Sequence, residues 1–504
     1  MDLHVSLVGR RNIAAELYRQ LREAIVEGRL RPGDPVPPTR ELARRLRLSR
    51  TTVTAAYTRL SAEGLLSARV GAGTFVSHLA ERLQNGAPRG RAPGAGGNAP
   101  PALRPQPVWN TLTVPAPFAD PADFDFRPGL TDASLFPHER WRRTEARALR
   151  SDPVACGVYG DPGGLPALRE AIVHHVGIAR AVSAAADDVI VTTGTQQALD
   201  LIARVLAAPG DAVAMENPGY TPAAWLFSSL GLDVHGVRVD AEGIVVSEIP
   251  ADVQFVYVTP SHQYPLGVAM SLERRRELLA WADRHDVAII EDDYDSEFRY
   301  GTRPIEPIHT MDSAGRIIYV GSFSKTLLPT LRLGFLITPP GIRDALLRAK
   351  FVSDWHTSLL GQATLAEFIA GGSFATHIRR MQRVYEERRE LIRDAITRDF
   401  AGLLTLVPSH AGLHLAATAD HANGPETVAV MQRALEDSVA VQDLSRYGIG
   451  APAPAGLMFG YGAIPSERIA EGLERLRRSF TPAAAGTAPS AHRGRRRRTP
   501  AFAR

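Results

Sequence analysis

A segment of low apolar content interrupts this 504-residue chain and constrains its fold more than any other feature. From about residue 79 to 117, Pro, Gly, Ala and Arg predominate, as in the run APRGRAPGAGGNAPPALRPQP. Such a composition lacks the apolar side chains that a packed core requires. We therefore predict a flexible linker over 79–117, which joins a domain at 1–78 to a larger domain at 118–480. A disordered basic tail is predicted at 481–504.

Basic charge is concentrated at the two ends of the chain. Residues 1–78 contain 13 Arg and 7 acidic residues, and residues 481–504 contain 6 Arg and no acidic residue. The net charge of the whole chain is only +4, so the segment between the ends is acidic. This distribution favours a nucleic-acid partner that contacts the ends, although an ordinary Arg-rich surface is the simpler alternative.

Composition also excludes some classes of protein. No apolar run approaches the roughly 20 residues that cross a bilayer, and the start MDLHVSLVGRR lacks the features of an export signal. We therefore expect a cytoplasmic protein without a membrane role. The single cysteine, Cys156, cannot form an internal disulfide or a multi-cysteine metal site, and no close His/Cys cluster replaces it. We predict no metal.

Residues 10–77 have the pattern of three helices followed by a hairpin. Apolar residues at helical spacing predict a first helix that ends at Glu27-Gly28, a second at Thr39–Arg47 and a third that Ser49 caps. The inward-facing residues expected on the third helix are Val53, Ala56, Tyr57 and Leu60. Two short apolar runs around a Gly-rich turn complete a winged helix-turn-helix.

The run from Glu16 to Val76 resembles the GntR superfamily of bacterial regulators. A recognition helix presents its N-terminal end to base edges in the major groove of double-stranded DNA, where Arg suits guanine. Side chains at that end and on the polar face of the third helix are Arg50, Thr51, Thr52 and Thr54. The resemblance further implies DNA contacts for Arg40, Ser49 and Gly71, the last at the tip of the wing. Simple solvent exposure is the alternative for each.

After the linker, strands alternate with helical patterns, which predicts an α/β domain with a mainly parallel sheet. The predicted strands are Val189–Thr193, Ala212–Met215, Phe255–Val258, Val287–Ile290, Ile317–Val320 and Gly334–Ile337. Several end in polar residues, where such folds bind their ligands. From about 360 to 480, long amphipathic helices and shorter strands predict a smaller C-terminal α+β lobe.

Lysine is almost absent from this chain. Only Lys325 and Lys350 occur among 58 basic residues. Arg stays protonated, whereas a Lys amine can lose its proton and attack a carbonyl, so a retained lysine is a candidate for chemistry. Lys350 lies in the helical pattern RDALLRAKF and is expected on a solvated face, which leaves Lys325.

The run SFSKTLLPTLRLG resembles the lysine region of fold-type I enzymes that use pyridoxal 5'-phosphate. The resemblance implies that Lys325 forms the Schiff base with this cofactor. Ser322 and Arg332 would hold its phosphate, with Ser324 beside them. The motifs GTQQAL and ENPGY occur upstream in the expected order. They add Gly194, Thr195 and Gln196 at a helix N-terminus that favours a phosphate, and Tyr220, which would stack on the pyridine ring.

The acidic run EDDYDSEFRY follows another predicted strand. A carboxylate beside the pyridine nitrogen keeps it protonated, a role assigned here to Asp292, with Asp293 as the rival. Tyr294 would lie near the ring hydroxyl. Tyr264 stands in Tyr264-Pro265-Leu266-Gly267, where aminotransferases usually carry Asn, and it counts as a further cofactor contact.

Taken in order over residues 10–480, these motifs resemble the MocR subfamily, or GabR-like regulators. The resemblance implies a head-to-tail, domain-swapped homodimer with the cofactor at its interface, operator DNA as partner and a small amine or amino acid as effector. Aminotransferases also carry a late-strand Arg for the substrate carboxylate. Here that place reads Gly456–Tyr461 without an Arg. Either ordinary transamination is lost, the anchor is another residue such as Arg446, or the alignment is shifted.

Three functions remain open at this point. The first is a regulator that senses an amine, an amino acid or the cofactor itself through the Lys325 aldimine. The second is a working aminotransferase with a DNA-binding appendage, and the third is a DNA-binding protein with a degenerate cofactor domain. Turnover of amino and keto acids separates the second from the first.

Overall fold

The computed structural model describes residues 13–69, 73–78, 104–112, 122–301, 306–419 and 426–480. The chain divides into two compact units, Met1–Arg104 and Pro105–Arg504. The predicted wing-tip residue Gly71 and the predicted basic tail lie outside the described residues, as do 79–103 and 113–117 of the predicted linker. Among the residues described, no helix has the length and apolar character to span a membrane.

The first unit contains three helices and a three-stranded antiparallel sheet. Its elements are α1 (Ile13–Val26), β1 (Pro35–Val36), α2 (Thr39–Leu46), α3 (Arg50–Ala62), β2 (Leu66–Arg69) and β3 (Gly73–Val76). The strand order is β1-β3-β2, with Leu66 opposite Val76. The predicted winged helix-turn-helix is confirmed. Sequence analysis missed β1, because two residues give no readable alternation.

Helix α3 begins and packs as its sequence predicts. Ser49 is the N-cap, and its hydroxyl oxygen accepts a hydrogen bond from the amide of Thr52 at 3.1 Å. The four residues expected to face inward, Val53, Ala56, Tyr57 and Leu60, are all buried. Helix α2 ends one residue before the predicted Arg47, because Arg47 adopts a left-handed conformation with φ of 54°.

The second unit begins with elements that lead to a large sheet. They are α4 (Val108–Thr111), β4 (Phe124–Asp125), α5 (His138–Ala148), α6 (Asp152–Ala155) and α7 (Pro166–Arg180). Strands β5 to β12 are Val189–Thr192, Ala212–Asn217, Asp233–Asp240, Gly243–Ile244, Phe255–Val258, Ala288–Asp293, Ile317–Ser322 and Gly334–Ile337. Interspersed helices are α8 (Thr195–Leu206), α9 (Thr221–Ser229), α10 (Leu272–His285) and α11 (Pro340–Asp354).

The eight strands form one sheet in the order β5-β12-β11-β10-β9-β6-β7-β8. The pairs within β11-β10-β9-β6-β7 are parallel, whereas β12 is antiparallel to both of its neighbours. The mainly parallel α/β fold is therefore confirmed. Strand β10 extends beyond its predicted end at Ile290, because Glu291, Asp292 and Asp293 continue the pairing with β11.

The smaller lobe combines long helices with an antiparallel sheet. Its elements are α12 (Leu359–Ala370), α13 (Ser373–Asp399), β13 (Leu404–Leu406), β14 (His414–Ala419), α14 (Thr427–Glu436), β15 (Val439–Ala440), β16 (Gln442–Asp443), β17 (Gly456–Gly460) and α15 (Ser466–Arg478). The sheet order is β13-β14-β17-β16. Strand β4 pairs with β15, and Phe124 and Phe126 join the lobe's core. The lobe therefore includes residues that precede the large sheet.

Candidate functional site

A cavity of about 220 Å³ lies where the carboxyl ends of β10 and β11 meet the N-terminus of α8. Its lining is Gly129, Thr195, Gln196, Tyr220, Tyr264, Asp292, Tyr294, Asp295, Ser322, Ser324, Lys325, Pro329, Arg332, Leu413 and His414. Ten of the eleven residues predicted to bind the cofactor belong to this lining. The eleventh, Gly194, lies directly against Arg332.

One end of the cavity is suited to an anion. Gly194 precedes α8 with φ of 79°, and a Cβ placed there would lie 2.9 Å from Nη2 of Arg332. The absence of a side chain therefore lets the guanidinium approach the helix N-terminus, while Arg332 donates to the carbonyl of Thr193 at 2.9 Å. Unpaired amides at a helix start and an adjacent guanidinium are the donors that a phosphate requires.

Asp292 lies on the floor of the cavity at the end of β10. Its Oδ2 accepts a hydrogen bond from the Tyr257 hydroxyl at 2.8 Å, and its Oδ1 is buried with no hydrogen-bond partner among the described residues. Burial raises the pKa of Asp292 to about 7. A buried carboxyl with an unused oxygen is suited to share a proton with a ligand nitrogen.

The rival, Asp293, lies on the other face of the sheet. Because side chains alternate along a strand, Asp293 is directed away from Asp292, toward Arg180 at 3.1 Å and Tyr319 at 2.5 Å. Arg180 also pairs with Glu297. These contacts engage Oδ2 of Asp293 on the face away from the cavity, whereas Asp292 lines the cavity, so the geometry favours Asp292 as the carboxylate that faces a ligand.

Three tyrosines line the cavity around Asp292. The Tyr220 ring meets that of Tyr264 edge-on at 5.6 Å, and burial raises the pKa of Tyr220 to about 12. Tyr264 donates to the Tyr447 hydroxyl at 3.0 Å. The Tyr294 hydroxyl contacts Nδ1 of His262 at 3.0 Å and donates to its carbonyl at 2.9 Å. Burial also raises the pKa values of Tyr264 and Tyr294, so all three hydroxyls remain protonated near neutral pH.

The two lysines have different surroundings. Lys325 is part-buried, donates to the Gly129 carbonyl at 2.9 Å and faces Asp295 and Asp292, and burial lowers the pKa of its ammonium group. The prediction that Lys350 lies on a solvated face is wrong. Lys350 is fully buried, because α11 packs against α8. Asp354, one turn later on α11, compensates its charge.

Sequence analysis missed a buried group beside Tyr294. Nδ1 of His262 lies 3.1 Å from Asp295, and the ring of His414 lies 4.5 Å from that of His262. Their ligand atoms lie within 4.8 Å of one another, a geometry that could hold a metal ion and that the sequence spacing did not indicate. His262 and Asp295 stand inside motifs quoted above, but His414 comes from the distant strand β14.

The late-strand arginine of aminotransferases has no counterpart among the described residues that line the cavity. Strand β17 carries Leu457, Met458 and Phe459, all fully buried in apolar clusters. Arg446, the alternative anchor, is exposed and lies outside the lining.

The predicted DNA contacts lie on the surface of the first unit. Arg40, Ser49, Arg50, Thr51 and Thr54 are exposed, and Thr52 is half-buried. The Ser49 hydroxyl contacts those of Thr51 and Thr52 at 2.7 Å each. Ser49 is therefore committed to capping α3, whereas Arg50, for which no side-chain hydrogen bond or ion pair is seen among the described residues, extends from the start of the helix.

Known proteins match both units of this chain. The model of bacterial regulatory proteins of the gntR family matches residues 13–76, and that of aminotransferase class I and II matches residues 130–484. The probable rhizopine catabolism regulatory protein MocR of Rhizobium meliloti is 37% identical over 92% of this chain and 93% of its own length. The pyridoxine biosynthesis transcriptional regulator PdxR of Corynebacterium glutamicum is 30% identical over 90% and 92%.

The solved structures agree for the second unit. Pyrococcus horikoshii kynurenine aminotransferase in complex with PMP has a TM-score of 0.65 and 28% identity, over 72% of this chain and 91% of that one. Both units, in the order seen here, thus have named relatives across nearly the full length. The chain belongs to the family of MocR-like transcription regulators, in which a gntR-type DNA-binding domain precedes an aminotransferase class I and II domain.

Proposed function

We propose that this chain is a pyridoxal-phosphate-dependent regulator that binds operator DNA and senses a small amine, an amino acid or the cofactor itself through Lys325. The observation that carries the proposal is that residues from five separate motifs converge on one cavity, in a chain that also exposes the polar face of α3. A DNA-binding regulator of this kind acts in the cytoplasm.

The residues of the cavity fit the cofactor. Arg332, Ser322, Ser324 and the amides at the start of α8 would hold its phosphate, and Tyr220 would stack on its ring. Asp292 would pair with the ring nitrogen and Tyr294 with the ring hydroxyl. When bound, pyridoxal phosphate supplies an aldehyde carbon with which amines condense.

Lys325 is the amine of this chain that suits such a carbon. Burial lowers its pKa, so more of the amine is uncharged near neutral pH than on the surface, and the Gly129 carbonyl orients Nζ. An effector that competes with Lys325 alters DNA affinity only as far as it binds two states of the protein unequally.

A homodimer, of the domain-swapped kind that the resemblance implies, is part of the proposal. An apolar patch on the second unit supports self-association. Tyr159 stacks on Trp355 with ring centroids 4.4 Å apart, and Tyr159 and the nearby Val352 are 72% and 80% exposed. Aromatic side chains exposed to this degree are typical of subunit interfaces. Light scattering of the purified chain is expected to give twice the monomer mass.

The visible absorption spectrum with added pyridoxal phosphate tests the cofactor site. We expect a band of the covalently bound cofactor in wild type and none in Lys325→Arg. Lys350→Arg is the matched control, because it alters the only other lysine and should keep the band. A band that persists in Lys325→Arg would contradict the proposal.

Operator affinity with and without candidate effectors tests the sensing. We expect at least one amine that changes the band to change operator affinity as well. Multiple turnovers of amino and keto acid would instead favour the aminotransferase alternative.

A further inference from the structure

The cavity has few positive charges to offer a ligand. Within the described part of the chain, the cationic side chains of its lining are Lys325 and Arg332. Arg332 lies against Gly194 at the anion-binding end, and Lys325 is the amine that competes with an effector. Once a phosphate occupies Arg332, no described cation of the lining remains to pair with a carboxylate.

Apolar packing occupies the place of the missing arginine. Met458 is fully buried in a cluster that includes Leu444, Tyr447 and Ala416. Strand β14 pairs with β17, and its residue His414, which lies opposite Gly460, lines the cavity. A ligand that approaches from the smaller lobe therefore meets histidine and not arginine.

One side of the cavity carries the hydrogen-bond acceptors Asp295 and His414, which we together call the acceptor wall. Asp295 accepts from the Leu413 amide at 3.1 Å and lies beside His262. The Nε2 hydrogen of His414 is donated to the Pro265 carbonyl at 3.0 Å, which makes its Nδ1 an acceptor. His414 is 2% exposed, and such burial favours the uncharged form of its ring.

The chemistry of the wall discriminates between ligand classes. A carboxylate brought against Asp295 would lose its hydration and meet like charge, with Lys325 and Arg332, the cations of the described lining, already engaged. Hydroxyl and amino groups would instead find acceptors. We infer that the effector is a primary amine without a carboxylate group, whose further hydroxyl or amino groups donate to the acceptor wall. This inference rests on the proposed function and narrows its effector class.

Matched pairs of ligands test the inference on the full chain loaded with pyridoxal phosphate. Each pair is an amino acid and the amine that its decarboxylation gives: serine and ethanolamine, lysine and cadaverine, tyrosine and tyramine. The readouts are the ligand concentration that half-changes the absorption band and the fluorescence anisotropy of labelled operator DNA. We expect the amine to act at a concentration at least tenfold lower than its amino acid.

The outcomes distinguish the inference about the effector class from the proposed sensing function. Amino acids that act at equal or lower concentrations than their amines would overturn this inference while leaving the sensing intact. Failure of every amine and every amino acid to change both readouts would overturn the sensing of amines and amino acids, and the inference with it.

Variants of the acceptor wall provide a second test. Asp295→Asn removes the negative charge at constant size, and His414→Gln introduces an amide donor. Each is expected to reduce the amine preference at least threefold, and the surface variant Asp283→Asn on α10 is the matched control. Preferences that stay at the wild-type value in both variants would show that the wall does not select the ligand.

Discussion

Helix α3 presents its polar side chains to solvent from one continuous segment, whereas the cavity encloses polar side chains that come from distant parts of the chain. Arg50 and Thr54 lie about one turn apart on α3, and both are exposed. Lys325 and Gly129, which share a hydrogen bond, are 196 residues apart. The first arrangement needs only a helix, and the second needs the complete sheet and both lobes.

This difference changes what controls reactivity in each region. Exposed groups on α3 act through charge and shape, with energies that salt screens. In the cavity, burial raises the pKa of Asp292 and lowers that of Lys325. We therefore expect substitutions in the cavity to produce all-or-none changes and substitutions on α3 to produce graded ones.

Reduction with borohydride should produce the largest contrast. In the protein loaded with pyridoxal phosphate, we expect the reduced cofactor on the peptide that contains Lys325 and none on the peptide that contains Lys350. Both lysines are enclosed, but Lys350 is held by Asp354 and Thr357 away from the cavity. Peptide mass spectrometry measures the label. Equal labelling of both peptides would contradict the expectation that only Lys325 binds the cofactor.

A pH dependence should distinguish the buried carboxyl from surface groups. The pKa of Asp292 is about 7 in the folded cofactor-free protein, above its unfolded value of 3.8, so its contribution to stability is present below about pH 4 and lost as pH rises through 7. Asp292→Asn should therefore gain stability over wild type between pH 4 and 7, by a few kcal/mol at most. Thermal unfolding against pH measures this. A constant difference across that range would mean that Asp292 is ionised throughout.

Arg50→Ala should give a graded loss of operator affinity. Loss of a guanidinium that contacts a base or phosphate costs about 1–3 kcal/mol, or roughly 5- to 150-fold in affinity. The control is Arg19→Ala on α1, which removes an exposed arginine that is paired with Glu16 and Glu23. Anisotropy titrations at two salt concentrations measure both variants. Equal losses in the two would mean that Arg50 supplies only general charge.

Ser49→Ala should have the smallest effect. The variant loses the hydroxyl that accepts from the Thr52 amide, and this costs about 1 kcal/mol of stability in the winged unit. Hydrogen exchange at the α3 amides is expected to accelerate while the absorption band of the cofactor stays unchanged. Unaltered exchange would indicate that the cap contributes little.

Sequence reasoning found most of the candidate site but not its whole surface. The motifs around Lys325, Asp292 and Tyr220 are local, and their strand-to-loop positions predict which ends of the sheet they occupy. His414 and Gly129 gave no signal, because each stands in an unremarkable local context and enters the cavity only through the packing of the smaller lobe. Lys350 was misplaced for a related reason, since its helical pattern does not show which face is covered.

The sequence by itself determined the winged helix-turn-helix, the mainly parallel sheet and the order of the cofactor motifs, because these depend on periodicity, capping and residue type within short segments. Only the tertiary structure decided that Asp292 and not Asp293 faces the cavity, and that Asp295 and His414 form its acceptor wall. The physical reason is that the direction and surroundings of a side chain depend on neighbours that are distant in sequence, which folding brings within a few ångströms.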